Sequence, residues 1–192
     1  MTRLYCATGN PGKLSEFRLA AARSNVEIEA VPNFKAIPPC VEDGATFEEN
    51  AVKKARHYAA YVKGPVFADD SGLVVEALDG APGVYSARYA GPDATDEVNN
   101  RLLLERLRGV TNREASFVCR IALVEVGGQQ GIYSGRVDGV ILEGPRGSSG
   151  FGYDPLFYCP PLGCTFGEAT EEQKFQVSHR GQAFRAMLEN LR

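Results

Sequence analysis

The apolar positions of this chain switch between a short, dense spacing and a helical one. Residues 3–7 form a short apolar run expected to be a buried first strand, and it breaks at Thr8-Gly9-Asn10-Pro11-Gly12. A helix is predicted next. Asn10 suits its N-cap, Pro11 suits the first helical position where a missing N–H costs nothing, and Leu14, Phe17 and Ala21 share a face. A second helix is predicted from Thr46, because Thr46-Phe47-Glu48-Glu49 has capping-box spacing. Ala51, Ala55 and Ala59 line its face, and Gly64-Pro65 stops it. Val66-Phe67-Ala68 is predicted as a short strand entering Asp69-Asp70-Ser71-Gly72, with residues 73–78 as a further strand. A third helix is expected over roughly residues 95–108, carrying Leu102, Leu103 and Leu107. Residues 115–126 and 131–142 predict two longer strands, and Gly127-Gly128 between them predicts an antiparallel hairpin. After a glycine-rich stretch over 144–152, a last helix is expected from about residue 179 to 191, with Ser178 as a plausible N-cap and Phe184, Met187, Leu188 and Leu191 apolar. Helices alternating with strands, then a long hairpin, imply an α/β fold with a mixed sheet.

Composition narrows the class. At 192 residues and 44% hydrophobic, the chain can build one sizeable core, and a single domain over 1–192 is expected. A net charge of -3 gives no footprint for duplex nucleic acid, so none is expected as a partner. Cys6, Cys40, Cys119, Cys159 and Cys164 are odd in number and form no CxxC pair, which predicts reduced thiols rather than a zinc site or a disulfide framework. No apolar run suits a bilayer span or signal peptide, so no membrane association and a cytoplasmic location are expected.

Three stretches carry candidate chemistry. Thr8-Gly9-Asn10-Pro11-Gly12-Lys13 joins a strand to a helix. The helix start points N–H groups and partial positive charge into the turn, the glycines let a phosphate approach, and Lys13 adds a full charge. It is neither a Walker A loop, whose glycines stand further apart and whose Lys precedes Ser or Thr, nor a dinucleotide fingerprint. Asp69-Asp70 and Glu42-Asp43 are acidic pairs that suit Mg²⁺, although Asp and Gly also make ordinary surface turns. Alternation along a strand means only one of Asp69 and Asp70 should face a given pocket. Phe151-Gly152-Tyr153-Asp154 could stack on a base and accept hydrogen bonds, with Lys174, His179 and Arg180 adding donors nearby. Together these describe a nucleotide-handling enzyme and leave the reaction open.

The chain resembles the inosine triphosphate pyrophosphatase family, the dITP/XTP pyrophosphatases, along nearly its whole length. The resemblance rests on the residues 8–13 just quoted, Thr46-Phe47-Glu48-Glu49-Asn50-Ala51 with Lys53 and Ala55, and Ala68-Asp69-Asp70-Ser71-Gly72-Leu73. It continues through residues 80–89, Gly150-Phe151-Gly152-Tyr153-Asp154-Pro155 and Ser178-His179-Arg180-Gly181. It implies a mixed α/β fold with a bent central sheet flanked by helices, two lobes with a deep cleft, and a homodimer. It further implies that Thr8 to Lys13 bind the triphosphate, that Asp70 is the catalytic base and a metal ligand, and that Glu42 is a second Mg²⁺ ligand, with Asp43 offering a neighbouring carboxylate. Ser71, Phe151, Gly152, Tyr153, Asp154, Lys174, His179 and Arg180 match substrate-binding positions, and Lys53 matches a helical lysine near the phosphates.

The expected reaction is Mg²⁺-dependent hydrolysis of deaminated purine nucleoside triphosphates, such as ITP, dITP and XTP, to monophosphate and pyrophosphate. Asp70 would activate water, Lys13, Lys53 and Lys174 would stabilise the leaving pyrophosphate, and Arg180 would donate to the purine O6. Removal of the terminal phosphate alone, or nucleotide sensing without catalysis, are the competing readings.

Overall fold

The computed structural model describes residues 2–22 and 24–191. The elements in order are β1 (Thr2–Cys6), α1 (Pro11–Ala21), β2 (Val26–Ala30), α2 (Phe47–Ala59), β3 (Val66–Val75), α3 (Asp96–Arg106), β4 (Glu114–Val124), β5 (Gln130–Ile141), β6 (Phe157–Cys159), β7 (Cys164–Thr165), α4 (Glu171–Val177) and α5 (His179–Asn190). The strands form one sheet in the order β2-β1-β3-β4-β5-β6-β7. β1 pairs in parallel with β2 and β3, while β6 pairs antiparallel with β5 and β7, so the sheet is mixed as expected.

Local chemistry sets the helix starts. The Asn10 side chain accepts from Lys13 N at 3.1 Å with Pro11 in the first turn, and Thr95 caps α3 by accepting from Val98 N at 3.3 Å. Thr46 accepts from Glu49 N at 3.1 Å, but Glu49 reaches Ala45 N at 2.7 Å instead of completing the expected capping box. A complete box caps α4, through Thr170 and Gln173, a helix that the apolar spacing does not announce. Ser178 closes α4 and immediately precedes α5.

β3 corrects one expectation. Asp69-Asp70-Ser71-Gly72 is not a turn between two strands: a single strand runs through it, and Glu76–Leu78 is a 3-10 turn rather than a strand end. β2, with alternating glutamates in Val26-Glu27-Ile28-Glu29-Ala30, also escaped the sequence pattern. It stands in register with β1 from Thr2↔Val26 to Cys6↔Ala30.

The chain divides into two compact units, Met1–Asp70 with Cys119–Gly135 and Arg180–Arg192, and Ser71–Val118 with Arg136–His179. In the first, Phe17 of α1 lies edge-on to Phe67 of β3 at 5.0 Å and 5.0 Å from Phe184 of α5. A second cluster there sets Ala51, Ala55 and Tyr58 of α2 against Val66, Ala68 and Ala122. In the second unit, Leu103 and Leu107 join Phe117, Phe157 and Phe166, with Phe117 and Phe157 rings 4.7 Å apart.

Candidate active site

Within the first unit, α1 and β3 bring opposite charges together. Lys13 Nζ lies 2.8 Å from Asp69 Oδ2, and Arg180 Nε donates to the same oxygen at 3.4 Å. Arg180 NH1 also bonds Glu16 Oε2 at 2.5 Å. Glu16, Asp69 and Arg180 are all buried. Burial alone would push the Asp69 carboxyl up, but Lys13, Arg180 and Lys54 hold it well below the usual carboxylate range. Asp69 is therefore a fixed negative charge. Arg180, expected to reach a purine O6, is only 2% exposed, with its guanidinium paired to Glu16 and Asp69.

Asp70 faces the other way along β3, as strand alternation requires. Lys54 Nζ donates to Asp70 Oδ1 at 3.1 Å and lies 2.9 Å from Glu42 Oε2. Asn50 Nδ2 donates to Asp70 Oδ2 at 3.3 Å, while Asn50 Oδ1 accepts from Gly44 N at 2.8 Å and so ties the Glu42 loop to the same helix. Here burial wins: it raises the Asp70 carboxyl, against the downward pull of Lys54 and Lys13. Two adjacent aspartates are thus shifted in opposite directions, the pattern that separates a proton acceptor from a permanent anion. Lys13 acts electrostatically on both, so Lys13, Glu42 and Asp70 fall in one neighbourhood of one unit.

Lys53, matched to a helical lysine near the phosphates, lies on the outer face of α2. It is exposed and pairs with Asp43, whose carboxyl that bond lowers. Lys54 is the lysine between the carboxylates. Helical phase is the signal that would have found it, since it shares the buried face of Asn50, Ala51, Ala55 and Tyr58. Glu16 carries no such signal, because its partner lies 164 residues away.

At the start of α1, Thr8 Oγ1 accepts from Asn10 N at 3.1 Å, shaping the turn. At Gly9 a Cβ would stand 3.2 Å from the Phe34 ring, a tight contact. Ser71 follows Asp70 on β3 and is half-buried.

The second unit holds the aromatic group. Lys174 Nζ donates to Asp154 Oδ2 at 2.6 Å and stands 4.7 Å from the Phe151 ring centroid, a cation–π distance. Phe151 N donates to the same Asp154 oxygen at 2.9 Å. Lys174 and Asp154 are buried, while Phe151 is half-exposed. Tyr153 is buried, its hydroxyl donating to Ser86 O at 2.8 Å, and His179 is buried and stacked on Phe117 at 4.8 Å. Of this group, Phe151 and Gly152 are the least buried.

Among the described residues no group of three or more His, Cys, Asp or Glu is gathered for a metal. Glu42 and Asp70 nonetheless converge on one cationic nitrogen. Two carboxylates suit Mg²⁺, which commonly takes one or two from protein and completes its shell with water and phosphate oxygens.

An α/β chain with a lysine-bearing helix start and buried, oppositely tuned carboxylates has the parts of a phosphate-handling protein. The Ham1 family model matches residues 4–190, and the chain belongs to that family. A protein of Exiguobacterium sp. named dITP/XTP pyrophosphatase is 50% identical over 185 residues, covering 96% of this chain and 94% of its own length. One of the same name from Geobacter sulfurreducens is 49% identical over 193 residues, covering 100% and 97%. The solved HAM1 protein of Coxiella burnetii superposes with a TM-score of 0.89 at 40% identity, over 100% of this chain and 98% of that one. The Staphylococcus aureus Ham1 protein gives 0.87 at 39%, over 99% and 98%. No helix among the described residues is long and apolar enough to cross a membrane.

Proposed function

We propose that this chain is a nucleoside triphosphate pyrophosphatase that hydrolyses the triphosphates of deaminated purines, ITP, dITP and XTP, to monophosphate and pyrophosphate. Relatives named for that activity share about half of its residues over nearly its whole length. The observation that carries the chemistry is the convergence of Glu42 and Asp70 on Lys54, beside a helix start bearing Lys13.

The amides around Gly9 and Gly12, with Lys13, would take phosphate oxygens at the positive end of α1. Glu42 and Asp70 would hold Mg²⁺, which when bound neutralises the triphosphate and polarises its phosphorus. Asp70 would also position the attacking water and take its proton. Lys54 orients Asp70 and Glu42, and Asp69 anchors the Lys13 ammonium. Phe151 would stack on the base, with Lys174 held against its ring. The chain would act as a cytoplasmic homodimer on a free nucleotide, without nucleic acid or membrane.

The test is a product assay with dITP and Mg²⁺ on wild-type protein and Asp70→Asn. Pyrophosphate with monophosphate is expected from wild type. Orthophosphate with diphosphate would assign a different bond, and near-normal turnover by the variant would remove Asp70 from the mechanism.

A further inference from the structure

We infer that Asp96 and Asn100 are positioning residues that clamp the Phe151–Gly152 loop for the base. This rests on the proposed stacking role of Phe151. Thr95 caps α3, which puts Asp96 in the first turn and Asn100 one turn on, along the same face. Asp96 Oδ2 accepts from Gly152 N at 2.7 Å, and Asn100 Nδ2 donates to Gly152 O at 3.0 Å. Both polar groups of one residue are thereby held by one helix.

Gly152 is where the loop needs such a hold. Its φ of +62° is left-handed, and a Cβ there would meet nothing within 4 Å. Glycine is present for backbone shape, not for space, and glycine alone fixes that shape weakly. On the other side of Phe151, its own N–H is held by Asp154, which also places Lys174 against the ring. The ring is thus suspended between two anchored peptide groups, one from Asp154 and one from α3.

Asp96 is exposed, and an acidic residue in a first helical turn is ordinarily explained by the helix dipole. That role needs the charge, whereas the clamp needs only an acceptor oxygen, so Asp96→Asn separates them. Neither Asp96 nor Asn100 is assigned a substrate contact.

The experiment measures dITP hydrolysis with Mg²⁺ in the full chain, and inhibition by inorganic triphosphate as a probe lacking a base. Asp96→Ala and Asn100→Ala are each expected to raise KM for dITP about tenfold with kcat within about twofold, leaving the inorganic triphosphate inhibition constant unchanged. Asp96→Asn should recover most of the loss. An unchanged KM in both alanine variants overturns the clamp. So does a parallel rise in KM and the inhibition constant, or Asp96→Asn as impaired as Asp96→Ala. Should Asp96→Ala fail to fold, Asn100→Ala carries the same comparison. Wild-type protein without turnover of dITP would sink the proposed function first and the base-positioning role with it, before any variant is compared.

Discussion

At the scale of single residues, the two adjacent aspartates of β3 should fail in different ways when neutralised. Asp69 sits between Lys13 and Arg180 and is fully buried, so Asp69→Asn leaves those cations without their counter-charge. A loss of about 3–5 kcal/mol of stability is expected, as for other broken buried pairs, seen as a lower urea midpoint. Asp70→Asn should fold nearly normally and lower kcat by about a hundredfold or more. Equal stability losses would mean that Asp70 is also an anchor. The lysines of α2 divide similarly. Lys54→Met should abolish most turnover, because it strips the shared cation from Glu42 and Asp70. Lys53→Met, on the exposed face, should leave both turnover and midpoint close to wild type. The residue scale is also where the sequence was least legible. The resemblance pointed to Lys13, Glu42 and Asp70, whereas Lys54 went unremarked although helical phase puts it on the buried face of α2. The partners of Arg180 were invisible because Glu16 and Asp69 reach it from 164 and 111 residues away.

At the scale of elements, the starts of α1, α2 and α3 were legible, while α4 and β2 were missed. Asn10, Thr46 and Thr95 cap helices through bonds to residues three positions away, which a short window contains. β3 was divided in two because Asp-Asp-Ser-Gly has turn composition. The strand persists because Lys13, Arg180, Lys54 and Asn50, all distant in sequence, satisfy its carboxylates. Gly109, between α3 and β4, and Gly150, in the loop before β6, allow a direct comparison of two glycines with similar backbones. Gly109 has φ +75° and open space around it, so Gly109→Ala should cost only the left-handed strain, about 1–2 kcal/mol. Gly150 has φ +77°, but a Cβ there would stand 2.1 Å from Asp154 Oδ2. Gly150→Ala should therefore add displacement of Asp154, and with it Lys174 and the Phe151 amide. A higher KM for dITP and a larger drop in Tm than Gly109→Ala are expected. Matching effects in calorimetry and kinetics would mean that strain alone matters at both sites.

At the scale of the whole molecule, the question is whether the two units unfold together. β3, β4 and β5 each run from one unit into the other, so melting either unit removes strand from both. One cooperative transition is the expected outcome, and the cysteines can report it. Cys6 and Cys119 are buried in the first unit and Cys159 in the second, while Cys40 and Cys164 are half-exposed. At pH 8 an alkylating reagent should modify Cys40 and Cys164 first. The buried three should label later, at one common rate set by unfolding. Alkali adds a sign to the test. Burial first, then Asp69, push the Cys119 thiol up from 9.0 to about 12, so the unfolded chain ionises it where the folded chain does not. Its contribution to stability is whole below pH 9 and drains away as pH climbs from there toward 12. Labelling of Cys119 should accelerate over that window. If β3 to β5 couple the units, Cys159 should accelerate in step with it, although it lies in the other unit. Fragment-resolved mass spectrometry of timed alkylation decides the matter: a Cys159 rate that stays flat while Cys119 rises would show two domains unfolding separately.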